Sequence, residues 1–296
     1  MKSNLIIIRY GEIGLKAEYT RKQFENILIK NIKESLKSKL ISFDIKQTRG
    51  RIYVYTDQIK TACNILKKIF GIISVSPALY TSSNIVSMEK LALEIADEKL
   101  SRNMSFALKV TRVGTHKFTS REVAVKLGDS IVKKTSASVD LTIPDFTLNI
   151  EIRGKNSYFY FDKITCVGGL PFGSQGNVLA IIKDETSILA AWYLMKRGCK
   201  TVFALNNDLI GNLLEDFIKN WYVKNCIHAV ENNNTRKLME IISDNQCDAI
   251  VTGHSVNDLK LIKKLKEQTN LPILTPLVSM SKYEIKQNCK KIGLTK

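Results

Sequence analysis

Five residues between an apolar strand pattern and an apolar helix pattern, Lys183, Asp184, Glu185, Thr186 and Ser187, carry the side chains with the greatest chemical reach in this chain. Val178 to Ile182 precede them as a short buried run, and the helical pattern that follows closes at Gly198. A strand, turn and helix that open an α/β domain put the turn at a carboxyl strand end, where backbone N–H groups and a helix N-terminus hold phosphate. Lys183 reaches a phosphate from such a turn, and Asp184 or Glu185 holds Mg²⁺ beside it. The same residues also suit a tight turn kept for folding. Gly253 and His254 follow a second strand pattern in a loop position that faces ligands in α/β domains. The six cysteines, Cys63, Cys166, Cys199, Cys226, Cys247 and Cys289, contain no C-x-x-C pair and do not group with His116, His228 or His254. That spacing argues against a zinc site and a secreted disulfide scaffold, so reduced thiols are expected. A persulfide carrier among Cys199, Cys226, Cys247 and Cys289 is the other chemical option, against the default of a buried structural thiol.

The elements that must position these residues fit a chain of 296 residues, 44% hydrophobic, with only 15 Gly and 5 Pro. That length and composition allow two or three folded domains. No apolar run approaches the ~20 residues of a membrane span, so a cytoplasmic protein without membrane contact is expected. The net charge is +17, with 28 Lys and Arg against 16 Asp and Glu up to residue 166, and 17 against 12 beyond. A basic excess in the N-terminal half suits a polyanion, with RNA the leading candidate, through counterion release; general solubility is the bland alternative.

Residues 5 to 10 read as a buried strand, followed by the loop GEIGLKAEYT and a helix from about Arg21 to Leu40 capped by Thr20. Strands 43 to 47 and 51 to 55 flank Thr48-Arg49-Gly50 as a hairpin, and Gln58 to Phe70 reads as a helix stopped by Gly71. Strand, helix, strand, strand, helix is a ferredoxin-like arrangement. A looser repeat follows: extended 72 to 80, a helix opened by Ser87, a strand 106 to 110, and a helix capped by Thr119 or Ser120 with Val123, Leu127, Ile131 and Val132 inward. Two strands, 148 to 152 and 158 to 161, close it. Beyond a glycine-rich connector, strands at 178 to 182, 201 to 205, 227 to 230 and 248 to 252 alternate with helices, which implies a mostly parallel sheet.

GGLPFGSQGNVLAIIKDETSILAAWYLMKRG resembles the start of the ATP-pyrophosphatase (PP-loop) domain of the tRNA 4-thiouridine synthetase (ThiI) family. Aligned from Lys196-Arg197-Gly198, the family's Ser-Gly-Gly-x-Asp-Ser loop falls on Ile182, Lys183, Asp184, Glu185, Thr186 and Ser187, and only the serine is shared. Without the glycines the backbone loses its φ > 0 freedom and its close approach to phosphate, and two carboxylates stand where a polyanion would dock. RYGEIGLK, RGRIYV and the second unit resemble the family's ferredoxin-like domain and THUMP RNA-binding domain. DAIVTGHSVNDL and LTPLVSMSKYEIKQNCKKIG resemble its second core loop and closing helix. The fold class implied is α/β and α+β: a ferredoxin-like domain over 1–60, THUMP over 61–165, a linker over 166–176, and a degenerate Rossmann-like PP-loop domain with a parallel sheet over 177–296. The family's sulfur-handling cysteine follows the closing helix, and no position before Lys296 matches it.

On that frame the RNA contacts are assigned to Arg9, Lys16, Arg21 and Lys22 near the first loop, Arg49 and Arg51 at the hairpin, and Arg112, Lys117, Phe118 and Arg121 in RVGTHKFTSRE. Cations there fix phosphates and Phe118 packs on sugar or base. The nucleotide-binding assignments are Lys183, Asp184, Glu185, Thr186, Ser187, Gly253 and His254, with no catalytic residue and no resident metal assigned. The resemblance implies ATP and Mg²⁺ as cofactors, which the changed loop opposes. The leading reading is a tRNA-binding protein of tRNA thiolation with impaired or lost adenylation, working with a sulfur-donor or catalytic partner protein. The rivals are an intact ATP-dependent tRNA uridine sulfurtransferase with an altered loop and an external sulfur donor, and a small-molecule nucleotide-binding protein. A homodimer is implied by resemblance only.

Overall fold

Leu5–Tyr10 forms β1, buried at all six positions, as its run of aliphatic residues requires. These coordinates are a computed structural model that describes residues 3–205, 208–223, 227–230 and 234–295. Helix α1 is Glu18–Lys37 and has Ala17 at its N-cap with no side-chain cap. It therefore starts before Thr20, which lies inside the first turn, and it stops before Leu40, whose φ of 54° leaves the helical region. Strands β2 (Asp44–Thr48) and β3 (Arg51–Tyr55) form the expected hairpin, with Gly50 at φ 80°. Helix α2 is Ile59–Leu66, shorter than the apolar pattern suggested.

Then come β4 (Ile72–Ser82), α3 (Ile85–Lys99), β5 (Ser105–Val113), α4 (Ser120–Thr135), β6 (Ser138–Val139), β7 (Phe146–Arg153), β8 (Asn156–Tyr160) and β9 (Ile164–Thr165). Asn84, not Ser87, caps α3, its side chain accepting from Ser87 N at 2.8 Å. Thr119 caps α4 in a reciprocal box with Glu122. Val123, Leu127 and Ile131 face the core as expected; Val132 is 38% exposed, because one step beyond Ile131 turns it away from that stripe. The sheet order is β2-β3-β1-β4-β8-β7-β5-β6, with β9 beside β4.

The remaining elements are β10 (Asn177–Ile182), α5 (Glu185–Lys196), β11 (Lys200–Leu205), α6 (Gly211–Asn220), β12 (Ile227–Ala229), α7 (Thr235–Asp244), β13 (Ala249–Val251), α8 (Leu259–Glu267), β14 (Ile273–Leu274) and α9 (Lys282–Ile292). Their sheet runs β12-β11-β10-β13-β14 and its pairs are parallel. Strand β14 was not legible in the sequence: two residues carry no periodicity. The chain moves outward from β10 through β11 to β12, then returns to place β13 on the other side of β10. That reversal opens a crevice at the carboxyl ends of β10 and β13.

Two compact units contain these elements. One comprises Met1–Arg9, Leu40–Asn64 and Ser74–Thr165; the other comprises Tyr10–Lys39, Ile65–Ile73 and Cys166–Lys296. In the first, α3 and α4 cover a core that includes Phe106, Leu127, Leu148 and Phe159. In the second, separate apolar clusters around Ile188, Trp192 and Phe203 and around Leu179, Val202 and Ile250 flank the parallel sheet. No described helix is long and apolar enough to cross a membrane.

Candidate nucleotide cleft and nucleic-acid interface

The crevice at the strand reversal is a cleft of about 550 Å³, lined by Lys183, Asp184, Ser187, Thr252, Gly253 and His254 and by Asp258, Leu261, Lys264 and Gln268 of the neighbouring segment. Its turn is closed by its own side chains. Asp184 is the N-cap of α5, and its Oδ1 accepts from Ser187 N at 2.8 Å. Ser187 Oγ accepts from Lys183 N at 2.9 Å and Asp184 N at 3.0 Å, and donates to Asp184 O at 2.6 Å. Three N–H groups that a phosphate would seek, those of Lys183, Asp184 and Ser187, thus already have protein acceptors, and a carboxylate sits at the positive end of the helix dipole. Thr186 and Glu185 lie in the first turn of α5, where Glu185 O accepts a long 4.0 Å contact from Cys289 Sγ.

Gly253 follows β13 and presses on that turn: a Cβ there would fall 2.7 Å from Ser187 N and 2.9 Å from Ser187 Cα. Only glycine permits this approach. His254 Nδ1 lies 3.0 Å from Thr252 Oγ1. Burial first, and then Lys183, hold the His254 imidazole below its usual range, while Asp258 and Asp184 oppose the shift. Five of the seven nucleotide-site positions named from sequence, Lys183, Asp184, Ser187, Gly253 and His254, therefore line one crevice, and Glu185 and Thr186 do not. Thr252, Asp258 and Lys264 were missed, although Ser255-Val256-Asn257-Asp258 carries a capping-box signature, and Ser255 N and Oγ each donate to Asp258 Oδ2 at 2.8 Å. Among the described residues, no group of three or more His, Cys, Asp or Glu is placed to hold a metal ion.

Three of the candidate sulfur carriers, Cys199, Cys247 and Cys289, are held away from the reactive thiolate form. Burial pushes up the thiols of Cys199 and Cys247, and burial with Glu185 and Asp184 pushes Cys289 up to about 11. Cys226 lies outside the described residues.

The cations assigned to RNA fall into both units. In the second, Lys16 is exposed, Lys22 pairs with Glu18 at 3.3 Å on the surface, and Arg21 lies 3.9 Å from Glu25, which also binds the Tyr10 hydroxyl. In the first, Arg112, Lys117 and Arg121 are exposed around the 114–119 loop. His116 Nε2 contacts Gly154 O at 2.8 Å, and Arg112 Nη1 donates to Gly114 O at 3.1 Å, so the loop carrying Lys117 is tied to the β7–β8 turn. Phe118 is partly buried against the α3–α4 core and near the His116 ring, which leaves only part of its face for a base.

Arg49 is exposed at the hairpin, but Arg9 is 6% exposed and interior. It donates to Ser76 Oγ at 2.9 Å and to Glu151 at 3.5 Å, and lies 4.5 Å from the Tyr160 ring centre. Its assignment as a surface contact is corrected accordingly: position 9 of an all-buried strand points its charge into the sheet. Arg51 joins Arg9 at Glu151, 2.7 Å from Nε to Oε1, and Arg153 Nε donates to the same oxygen at 2.6 Å. Glu151 and Arg153 were missed; the signal was two charges inside the apolar strand FTLNIEIR.

Comparison with known proteins comes to the same frame. The ThiI ferredoxin-like domain matches residues 5–76, the THUMP domain 82–162, and the Thiamine biosynthesis protein (ThiI) family 233–296. A probable tRNA sulfurtransferase of Methanocaldococcus jannaschii is 35% identical over 97% of this chain and 87% of that protein. One from Methanobrevibacter smithii is 32% identical over 99% of the chain and 87% of that protein; the aligned span, 338 positions, exceeds this chain's 296 residues, so that relative carries segments this chain lacks. A crystal structure of a 4-thiouridine synthetase–RNA complex with bound ATP superposes with a TM-score of 0.83 at 25% identity, covering 99% of this chain and 85% of that one.

Proposed function

The chain belongs to the THUMP-containing tRNA sulfurtransferase family, and from that membership we propose that it binds tRNA and acts in tRNA thiolation with its ATP-dependent adenylation impaired or lost. The observation that carries the second half is the Asp184–Ser187 closure of the turn before α5. In an adenylating loop, backbone donors stabilise pyrophosphate as it leaves. Here the Ser187 N–H is spent on Asp184, and the Lys183 and Asp184 N–H groups are spent on Ser187 Oγ. The residues present do not fit a Mg²⁺–triphosphate: Asp184 is engaged as a cap, and its charge opposes a polyanion. A separate catalytic or sulfur-donating protein would then supply the chemistry, this chain holding the RNA through the basic N-terminal half.

A second reading, an intact uridine sulfurtransferase, draws on the open 550 Å³ cleft and on Lys183 and Lys264 at its wall. One experiment separates them: tRNA binding at several salt concentrations, with ATP hydrolysis followed in the same samples, for the wild type and Lys117→Glu/Arg121→Glu. Strongly salt-dependent binding, weakened in the double variant and without ATP turnover, is the expected result. ATP turnover stimulated by tRNA would overturn the lost-adenylation reading, and absence of binding would overturn the RNA reading.

A further inference from the structure

Three guanidinium groups converge on one buried carboxylate in the first unit. Glu151 is 3% exposed, and the ion pairs of Arg9, Arg51 and Arg153 among the described residues all run to it. One negative charge thus faces three positive ones. The imbalance is felt: burial and the repulsion of Arg153 and Arg9 hold Arg51 below its usual value, against the pull of Glu151. Surplus charge of this kind is costly in a partly dry site unless an anion completes it.

The remaining N–H groups indicate where that anion sits. Arg51 Nη1 donates to Gly50 O at 2.7 Å and Arg153 Nη1 to Arg49 O at 3.1 Å, so backbone carbonyls of the hairpin turn fix both planes. Arg9 is consumed by Ser76, Glu151 and the Tyr160 ring. Nη2 of Arg51 and Nη2 of Arg153 have no protein acceptor among the described residues, and the two side chains reach the surface, 23% and 15% exposed. Arg51 Nε is a buried donor whose 2.7 Å contact with Glu151 lacks hydrogen-bond alignment.

The geometry points to a phosphate site at the Thr48–Arg51 hairpin, in which Arg51 and Arg153 grip one phosphodiester while Glu151 and Arg9 hold the two guanidinium groups in place. It rests on the tRNA-binding reading for the carrier of the phosphate. Guanidinium planes fixed in advance lose little freedom on binding, and a paired fork matches phosphate geometry as a lysine does not. The contact positions the RNA backbone and reads no base.

The test uses the full chain, an unmodified tRNA transcript and inorganic phosphate as probes. Arg51→Gln and Arg153→Gln each flatten the log–log salt dependence of tRNA binding by about one charge, and Arg153→Lys restores the slope without restoring full affinity. Wild-type melting rises in phosphate relative to chloride of equal ionic strength, and this rise shrinks in Arg153→Lys, which keeps the charge and serves where a Gln variant fails to fold. Unchanged slopes in folded variants of a tRNA-binding wild type would overturn the site, as would a wild-type melt indifferent to phosphate. Loss of tRNA binding in the wild type with the phosphate response intact would sink the RNA reading and leave the anion site standing.

Discussion

Gly253 and Ser187 press directly against each other in the wall of the crevice, so close that a single added methyl at 253 would lie 2.7 Å from the Ser187 amide nitrogen. The obstructing atoms are backbone, which cannot swing aside as the end of a side chain does. Gly253→Ala therefore costs about 1–3 kcal/mol through overpacking, read as a lower urea midpoint with unchanged slope. A midpoint equal to wild type would show that the first turn of α5 yields freely.

The cap at Asp184 carries a second expectation. Asp184→Ala removes the acceptor for Ser187 N and costs about 1 kcal/mol of stability. Asp184→Asn keeps an acceptor oxygen and recovers most of it. Equal losses in the two variants would count against capping as the role of this side chain.

How much of this was legible depends on what each residue reports. Apolar patterning placed α4 and strands β10 to β13 of the parallel sheet, and the Thr48-Arg49-Gly50 turn placed the β2–β3 hairpin. The candidate crevice was also legible, since Lys183–Ser187 and Gly253-His254 follow strand patterns whose carboxyl ends meet where the order reverses. Arg9 was misread because a cation beside a glycine loop resembles a surface contact, while its interior partner Glu151 lies 142 residues away. Only the pairing of distant strands brings such charges together. The early start of α1 was hidden for a different reason: Ala17 offers no side-chain cap to read.

Protonation of His254 gives a pH signature. Its folded-state value lies below the unfolded value of 6.5, by burial and Lys183. Above that value both states are neutral and the residue contributes nothing to pH dependence. As pH falls through it, the unfolded chain takes up the proton first, and stability drops until the folded value is passed. Wild type should therefore lose more stability than His254→Asn on acidification from neutrality to about pH 5. Parallel stability curves for the two proteins would refute the assignment.

Thiol reactivity separates the cysteines. Cys289, buried and pushed up to about 11, resists iodoacetamide in the folded chain at mildly alkaline pH and reacts once the chain is unfolded in urea. Mass spectrometry of the labelled peptides reads this directly. Rapid labelling of native Cys289 would reopen its candidacy as a sulfur carrier.

Asn31 Nδ2 donates to Phe172 O at 3.0 Å across 141 residues of chain, within a unit that gathers Tyr10–Lys39, Ile65–Ile73 and everything from Cys166 onward. On a ribosome those partners emerge on the order of ten seconds apart. Helix α1, with Leu28, Ile32 and Leu36 among its fully buried residues, meets the Ile65–Ile73 segment first, Leu28 lying beside Gly71, and waits through that interval for the partners that begin at Cys166. The order of synthesis thus makes this helix, one of the first elements to be made, among the last to be fully housed.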